Sequence, residues 1–120
     1  MKPTTVYFEV NRAPFAAGET SFIGETLTRL GVKNIIPAAL GPFPKINPEF
    51  VVRANPDVIM VGLRNSAGME LRPGWAGMRA MREKRLCVFS LEDSDVLVRP
   101  GPRMAEAARI MAKCLQTKAP

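Results

Sequence analysis

Hydrophobic residues follow the spacing of β-strands in four parts of the sequence. Val6–Val10 and Leu86–Leu91 are rich in β-branched and aromatic residues, which favours extended strands. Val58–Val61 is apolar throughout, as expected of a strand that is covered on both faces. Val32–Ile36 predicts a shorter strand or extended segment. The pattern therefore predicts a small sheet with Val58–Val61 as a buried central strand.

Apolar residues recur at helical spacing between and after these strands. They predict four helices, at Phe22–Leu30, Pro48–Ala54, Trp75–Lys84 and Met104–Leu115. Thr20 or Ser21 can cap the first helix and Asn47 the second, because their side-chain oxygens accept hydrogen bonds from N–H groups of the first turn. Asn55 precedes a proline, which ends the second helix. Glu92–Val98 carries three acids and is interpreted as a loop.

The alternation of strands and helices defines the fold class. It predicts an α/β fold with a small, mostly parallel sheet and helices on both faces, in a Rossmann-like three-layer arrangement. The 120 residues contain no internal repeat and no linker long enough to divide them, so residues 1–120 are expected to form a single lobe. Apolar residues make up 47% of the chain and charged residues 23%, which indicates a globular fold and not disorder.

The net charge of +6 raises the question of an anionic partner. Arg79, Arg82 and Arg85 share one stripe of a predicted helix. No aromatic residues interleave with these charges to stack bases, so a solvated helix face is favoured over a nucleic-acid surface. Acidic partners and anionic substrates remain compatible with the charge.

The two cysteines, Cys87 and Cys114, have apolar neighbours. Two buried thiols are therefore the default expectation, and a disulfide between adjacent elements is the alternative. The chain has no histidine and no cysteine cluster, so a zinc or haem-iron site built by this chain alone is not expected.

Motifs of catalysis are missing from the sequence. It lacks a glycine-rich phosphate loop, a nucleophile elbow and the acid spacing of a calcium loop. Paired-carboxylate catalysis has no sequence feature in its favour. A non-catalytic protein without a cofactor is therefore expected.

Binding residues are sought in the loops that follow the strands, because ligands of open α/β sheets sit beyond the carboxyl ends of the strands. Phe15, Phe43 and Arg64 fall in these loops. An aromatic side chain on such a loop can stack on a large planar ligand, or it can fill the core of the protein itself. Trp75 is in phase with core methionines and is interpreted as buried, and Tyr7 is expected to be packed within its strand.

Several segments resemble, in the same order, the C-terminal lobe of the substrate-binding proteins of ABC importers for cobalamin, haem and iron-siderophores. The most specific block is Phe43-Pro44-x-Ile46-Asn47-x-Glu49, which is followed by Asn55-Pro56-Asp57. Pro14-Phe15-Ala16-Ala17-Gly18, Pro73-Gly74-Trp75 and Arg99-Pro100-Gly101-Pro102-Arg103 continue the resemblance. It extends from Val6 to about Leu115.

The resemblance implies a role for individual residues. It places Phe43 against the ligand, and Arg99, with the segment that follows it, near the binding cleft. It places Glu49 on the outer rim, where the carboxylate pairs with arginines of the membrane permease. Cobalamin is slightly favoured over an iron chelate as the ligand, because the segments Pro14-Phe15…Gly18 and Phe43-Pro44 resemble those of cobalamin-binding members and no haem-ligand residue is evident.

Family members have two lobes joined by a long helix, which adds an N-terminal lobe to the expected partners. The resemblance implies a periplasmic location. The start of the sequence has no apolar signal-peptide region, so a naturally complete chain would be cytoplasmic. The alternative function is a stand-alone intracellular interaction or regulatory module that reuses the lobe. A homodimer of the isolated lobe is a further expectation.

Overall fold

The computed structural model of the protein describes residues 3–98 and 104–120. Its sheet is organised around the first strand, which pairs with three others. In these residues the strands are β1 (Thr5–Asn11), β2 (Phe15–Ala16), β3 (Lys33–Asn34), β4 (Val58–Gly62) and β5 (Leu86–Phe89). The helices are α1 (Phe22–Arg29), α2 (Pro48–Ala54), α3 (Leu63–Ser66), α4 (Arg79–Arg82), α5 (Leu91–Val98) and α6 (Met104–Lys118). Within these ranges, none of the helices has both the length and the hydrophobicity of a transmembrane span.

The strand order is β2-β1-β4-β5, and β3 also pairs with β1. The pairs β1–β3, β1–β4 and β4–β5 are parallel, while the short β2 runs antiparallel to β1. The predicted α/β fold with a small, mostly parallel sheet is confirmed. The strand predicted from Val58–Val61 is indeed central, since β4 is bonded to a strand on each side.

Alternating side chains of the strands form two separate cores, one on each face of the sheet. Val6, Phe8 and Met60 face one core, which α1, α5 and α6 complete. Tyr7 and Ile59 face the other, which α2 and the turns around Trp75 complete. Successive residues of a strand point to opposite faces, and successive residues of β1 and β4 are buried, so both strands are covered on both sides of the sheet.

Helix ends follow the capping residues of the sequence. Ser21 Oγ accepts a hydrogen bond from the Gly24 N–H at 3.0 Å, and Asn47 Oδ1 accepts one from the Glu49 N–H at 2.9 Å. Asn55 ends α2 in the left-handed region with φ of 47°, which asparagine tolerates better than most residues. The predicted starts of the first two helices and the end of the second are confirmed.

The segment predicted as an acidic loop is instead the helix α5. Ser90 Oγ accepts a hydrogen bond from the Asp93 N–H at 3.1 Å, and Glu92 and Asp93 lie in the first turn, where the helix dipole favours negative charge. Val96 and Leu97 are buried against the sheet. Glu92 and Asp93, which were part of the predicted acidic loop, therefore favour the start of a helix.

The helix predicted over Trp75–Lys84 is broken into two pieces. A 3-10 turn spans Trp75–Gly77, Met78 is extended, and α4 begins at Arg79. Gly77 has low helix propensity and weakens a continuous helix at this point. Trp75 is fully buried, as predicted, and so is Tyr7.

Cys87 and Cys114 form a disulfide, contrary to the default expectation of two thiols. Their Cα atoms are 6.1 Å apart, within the range that a disulfide bridges. The bond joins the edge strand β5 to α6, so the apolar neighbours of both cysteines belong to one core. The last helix also runs on past Leu115 to Lys118.

Candidate functional site

An apolar groove of about 410 Å³ opens near the carboxyl end of β1 and the first turn of α1. Its apolar lining includes Val10, Phe22, Phe43, Leu97 and Val98. Val10 is near the end of β1, Phe22 begins α1, and the last two residues end α5. The groove thus lies where ligands of open α/β sheets bind, and its lining suits an apolar ligand surface.

The loop that carries Phe43 is fixed by backbone hydrogen bonds to the segment after β1. The N–H groups of Ala16 and Gly18 donate to the carbonyls of Pro44 and Pro42 at 3.0 and 2.7 Å. A Cβ at Gly18 would lie 2.2 Å from the Gly41 carbonyl oxygen, so this close approach requires glycine. Phe43 is therefore held at the edge of the groove with half of its surface exposed.

Phe15 lies at the start of β2, and not in a loop as predicted, and it is not among the side chains that line the groove. Its backbone forms an isolated antiparallel β-bridge with Lys45, and the residue is 37% exposed. The two aromatic rings predicted as ligand contacts therefore do not meet in one concave surface, although neither is buried in the core.

Arg64 lies in the short helix α3, and not in a loop as predicted, and it lines a second groove of about 240 Å³. This groove also contains Asn65, Ser94 and Asp95, and it shares Val98 with the apolar groove. A Cβ at Gly62 would lie 2.7 Å from Ser94 Oγ, so glycine allows α3 and α5 to approach here. An apolar groove and a more polar groove are thus adjacent at this end of the sheet.

Of the two remaining predicted site residues, the structure describes Glu49, while Arg99 lies outside the described residues. Glu49 is exposed in the first turn of α2 and its N–H is capped by Asn47, so its carboxylate is accessible to a partner. In the described part of the chain, no three His, Cys, Asp or Glu side chains cluster in a way that could hold a metal ion.

The structure contains a buried ion pair that the sequence does not predict. Arg72 Nη1 and Nη2 donate to the two carboxylate oxygens of Glu9 at 2.6 and 2.9 Å, and the Tyr7 hydroxyl donates to Glu9 Oε1 at 2.9 Å. The Glu9 side chain has no exposed surface. Burial raises the pKa of the Tyr7 phenol well above its usual range, and the charge of Glu9 raises it further.

The sequence does carry a signal for this pair. Glu9 is the one charged residue in the strand predicted from Val6 to Val10, at a position that faces a core. A buried carboxylate needs a partner, but the partner is more than 60 residues away along the chain and cannot be identified from spacing.

One family model matches most of the chain, and several solved structures share its fold. The model of the family described as "Periplasmic binding protein" matches residues 1–90. No curated protein gives a significant sequence match.

Three solved structures illustrate the similarity. A possible iron-binding, periplasmic solute-binding protein from Staphylococcus epidermidis has a TM-score of 0.81 at 23% identity, over 96% of this chain and 46% of that one. The haem-binding protein RhuT from Roseiflexus sp. RS-1, in its apo form, has a TM-score of 0.79 at 24% identity, over 100% and 48% of the two chains. The vitamin B12-binding protein BtuF of Vibrio cholerae has a TM-score of 0.79 at 22% identity, over 98% and 46%.

At these identities the similarity shows a shared fold. The chain spans about half the length of each of the three proteins.

Proposed function

The chain belongs to the periplasmic binding protein family, and from this membership we propose that it is the C-terminal lobe of a substrate-binding protein that serves an ABC importer. The observation that carries the proposal is the apolar groove at the carboxyl ends of the strands, with Phe43 at its edge and Arg64 in the polar groove beside it. Such a pair of surfaces suits a large ligand with an apolar face and polar groups at its periphery.

We propose cobalamin as the ligand, with an iron chelate as the alternative. The structural relatives are named as binding iron, haem and vitamin B12. Axial iron ligation by histidine or tyrosine is not offered by this lobe, because the chain has no histidine and its single tyrosine, Tyr7, is fully buried. Phe43 would contact the apolar face of the ligand, and Arg64 and Arg99 its polar groups. Phe15 would contact a part of the ligand that extends beyond the groove.

A second lobe is part of this proposal, because the groove is open and a binding protein encloses most of its ligand. The relatives are about twice as long as this chain, which leaves room for an N-terminal lobe and a connecting helix. Glu49 would dock on an arginine of the permease from the outer surface of the lobe. The disulfide supports a periplasmic location, because disulfides persist in that oxidising compartment.

Calorimetry tests the binding proposal with three probes: cyanocobalamin, haemin and a ferric hydroxamate siderophore. One lobe supplies only part of the ligand contact, so we expect this chain to bind cyanocobalamin with a Kd of about 1 μM or weaker. Phe43→Ala should weaken binding at least about fivefold, by loss of an aromatic contact. Leu71→Ala is the matched control, since Leu71 is exposed at 80% and lies outside both grooves.

Two results would contradict the proposal. Equal binding by the Phe43 and Leu71 variants would show that the groove is not the site. A nanomolar constant for this chain alone would show that the site needs no second lobe. Preference for the siderophore or haemin over cyanocobalamin would change the ligand and keep the site.

A further inference from the structure

A continuous set of contacts runs from the buried ion pair on β1 to the first turn of α2. The guanidinium carbon of Arg72 lies 4.5 Å from the centre of the Trp75 ring, so the same side chain that binds Glu9 also stacks on the indole. The Tyr7 ring meets Trp75 edge-on at 6.0 Å. Trp75 Nε1 then donates a hydrogen bond to the Pro48 carbonyl at 3.3 Å. Pro48 is the first residue of α2 and directly precedes Glu49.

The residues on either side of Trp75 contact α2 at two further points. Gly74 has φ of +83°, and a Cβ built on it would be 3.3 Å from both methyl groups of Val52, so the turn lies directly against the helix. The Arg79 N–H donates to Asn55 Oδ1 at the other end of α2, at 2.9 Å. Helix α2 is therefore held along its length by residues that follow β4.

Helix α2 also packs on the core through Val51, with Phe50 and Val52 partly buried beside it. It is seven residues long, and Val51 is its one buried residue. A helix this short is not stable by itself and takes its position from its tertiary contacts. The hydrogen bond from Trp75 to the Pro48 carbonyl is therefore one of the contacts that orient the first turn.

We propose that Trp75, together with the Glu9–Arg72 pair behind it, is a positioning residue for Glu49. The pair fixes the guanidinium plane, the guanidinium and Tyr7 fix the indole, and the indole holds the turn that presents the Glu49 carboxylate. The inference rests on the proposed docking role of Glu49. Trp75 and the ion pair lie on the face of the sheet opposite the apolar groove. This face would thus act in permease docking without contacting the ligand.

The chemistry of Arg72 supports a role in orientation. A planar guanidinium can bind a carboxylate through two parallel hydrogen bonds and stack on an aromatic ring at the same time, whereas the ammonium group of lysine cannot. A buried ion pair by itself is a weak source of stability compared with apolar residues of the same volume. The two hydrogen bonds to Glu9 and the stacking on the indole are therefore better explained as a means of orienting Trp75 than as a source of stability from the ion pair.

Three variants in the two-lobed protein test the inference. Trp75→Phe keeps an aromatic ring but removes the N–H donor to Pro48, and Arg72→Lys keeps the charge but removes the planar fork. Met78→Leu is the matched control, because Met78 is buried in the same core and the change conserves its volume. We expect amide hydrogen exchange at residues 50–52 to be about five- to tenfold faster in the first two variants, as for loss of one hydrogen bond, and unchanged in the control.

Docking is then measured as the affinity for the ABC permease of the same organism in lipid nanodiscs. Trp75→Phe should weaken docking about tenfold with ligand affinity unchanged. It should weaken docking no further when Glu49→Gln is already present, because residues that act through one another are not additive. Arg72→Lys provides the same test if Trp75→Phe does not fold.

The outcomes separate the inference from the proposed function. Unchanged exchange at residues 50–52, or an equal loss of docking with and without Glu49→Gln, would overturn the inference. Normal docking by Glu49→Gln alone would reject the docking role of Glu49, while the exchange data would still decide whether Trp75 fixes the first turn of α2.

Discussion

Asp57, which directly precedes β4, shows how one side chain is fixed by several donors. Its carboxylate accepts hydrogen bonds from Thr5 N and Thr5 Oγ1 at 2.9 and 3.2 Å and from Arg79 Nη1 at 2.8 Å. Burial by itself would raise the pKa of Asp57, but the hydrogen bonds from Thr5 and the charge of Arg79 together hold it below its usual range. The ionised form therefore stabilises the junction of β1, β4 and α4.

We predict that Asp57→Asn destabilises the protein at neutral pH. The difference in free energy of unfolding between wild type and variant should become smaller at acidic pH. A carboxylate with a lowered pKa in the folded state contributes stability above its unfolded pKa of about 3.9, and this contribution is lost as the pH falls through the lower folded value. Urea unfolding at pH 7, 5, 4 and 3 measures the effect. Glu70→Gln, at an exposed glutamate, is the control, and a pH-independent difference would contradict the prediction.

Glu49→Gln is expected to change stability only slightly. Glu49 lies in the first turn of α2, where the helix dipole favours a carboxylate by about 0.3–1 kcal/mol. Asn47, not Glu49, supplies the cap, so Asn47→Ala should cost about 1 kcal/mol by comparison. Thermal unfolding of both variants tests this order. A larger loss for Glu49→Gln would mean that its carboxylate has a structural role.

Sequence predicted those residues whose role depends on neighbours along the chain. Asn47 and Asn55 act within one or two turns, so their capping roles are visible in local chemistry. Trp75 was identified as buried by its spacing to Met78. The partners of Glu9 and Cys87 depend on how distant segments meet, and no local rule supplies that information.

At the scale of the helices and strands, the disulfide ties the edge strand β5 to α6. The two cysteines are 27 residues apart in the sequence and enclose α5. Cross-linking limits the conformations of the unfolded chain, which is the main way in which a disulfide stabilises a protein.

We predict that Cys114→Ala lowers the free energy of unfolding by about 3–4 kcal/mol, the value for a loop of this length. Dithiothreitol should destabilise the wild-type protein to a similar extent and have no effect on the variant. Denaturant unfolding with and without the reductant measures both. A variant as stable as wild type, or one that still responds to the reductant, would contradict this role of the bond.

Two predicted elements differ from the structure at this scale. The α5 segment is polar at its start, and its apolar residues are too few to show a helical period, so it resembled a loop. The predicted helix after Trp75 has the right apolar spacing, but Gly77 and the extended Met78 interrupt it. Strand and helix alternation was strong enough to give the fold class in spite of both errors.

At the scale of the whole molecule, apolar surface is exposed at the carboxyl ends of the strands. Phe43 is half-exposed and Val98 is exposed at 51%, and both line the apolar groove. A second lobe would cover this surface in the proposed two-lobed protein. Exposed apolar patches promote association when no partner covers them.

We therefore predict that this chain alone forms a dimer at high concentration through the groove, most simply with two-fold symmetry. Phe43→Asp should weaken the dimer at least about tenfold, because a charge would be buried in the contact. Leu71→Asp, at an exposed leucine away from the groove, should not. Sedimentation over a range of concentrations measures the association, and a strict monomer would contradict the prediction.

The path of the disulfide changes how the protein responds to a protease. A single peptide-bond cleavage anywhere between Cys87 and Cys114 leaves the two fragments covalently joined, because both cysteines are retained on opposite sides of the cut. The nicked protein would migrate as one band on a denaturing gel without reductant and as two bands with it. Helix α6 would thus stay attached to the sheet edge after its backbone connection had been lost.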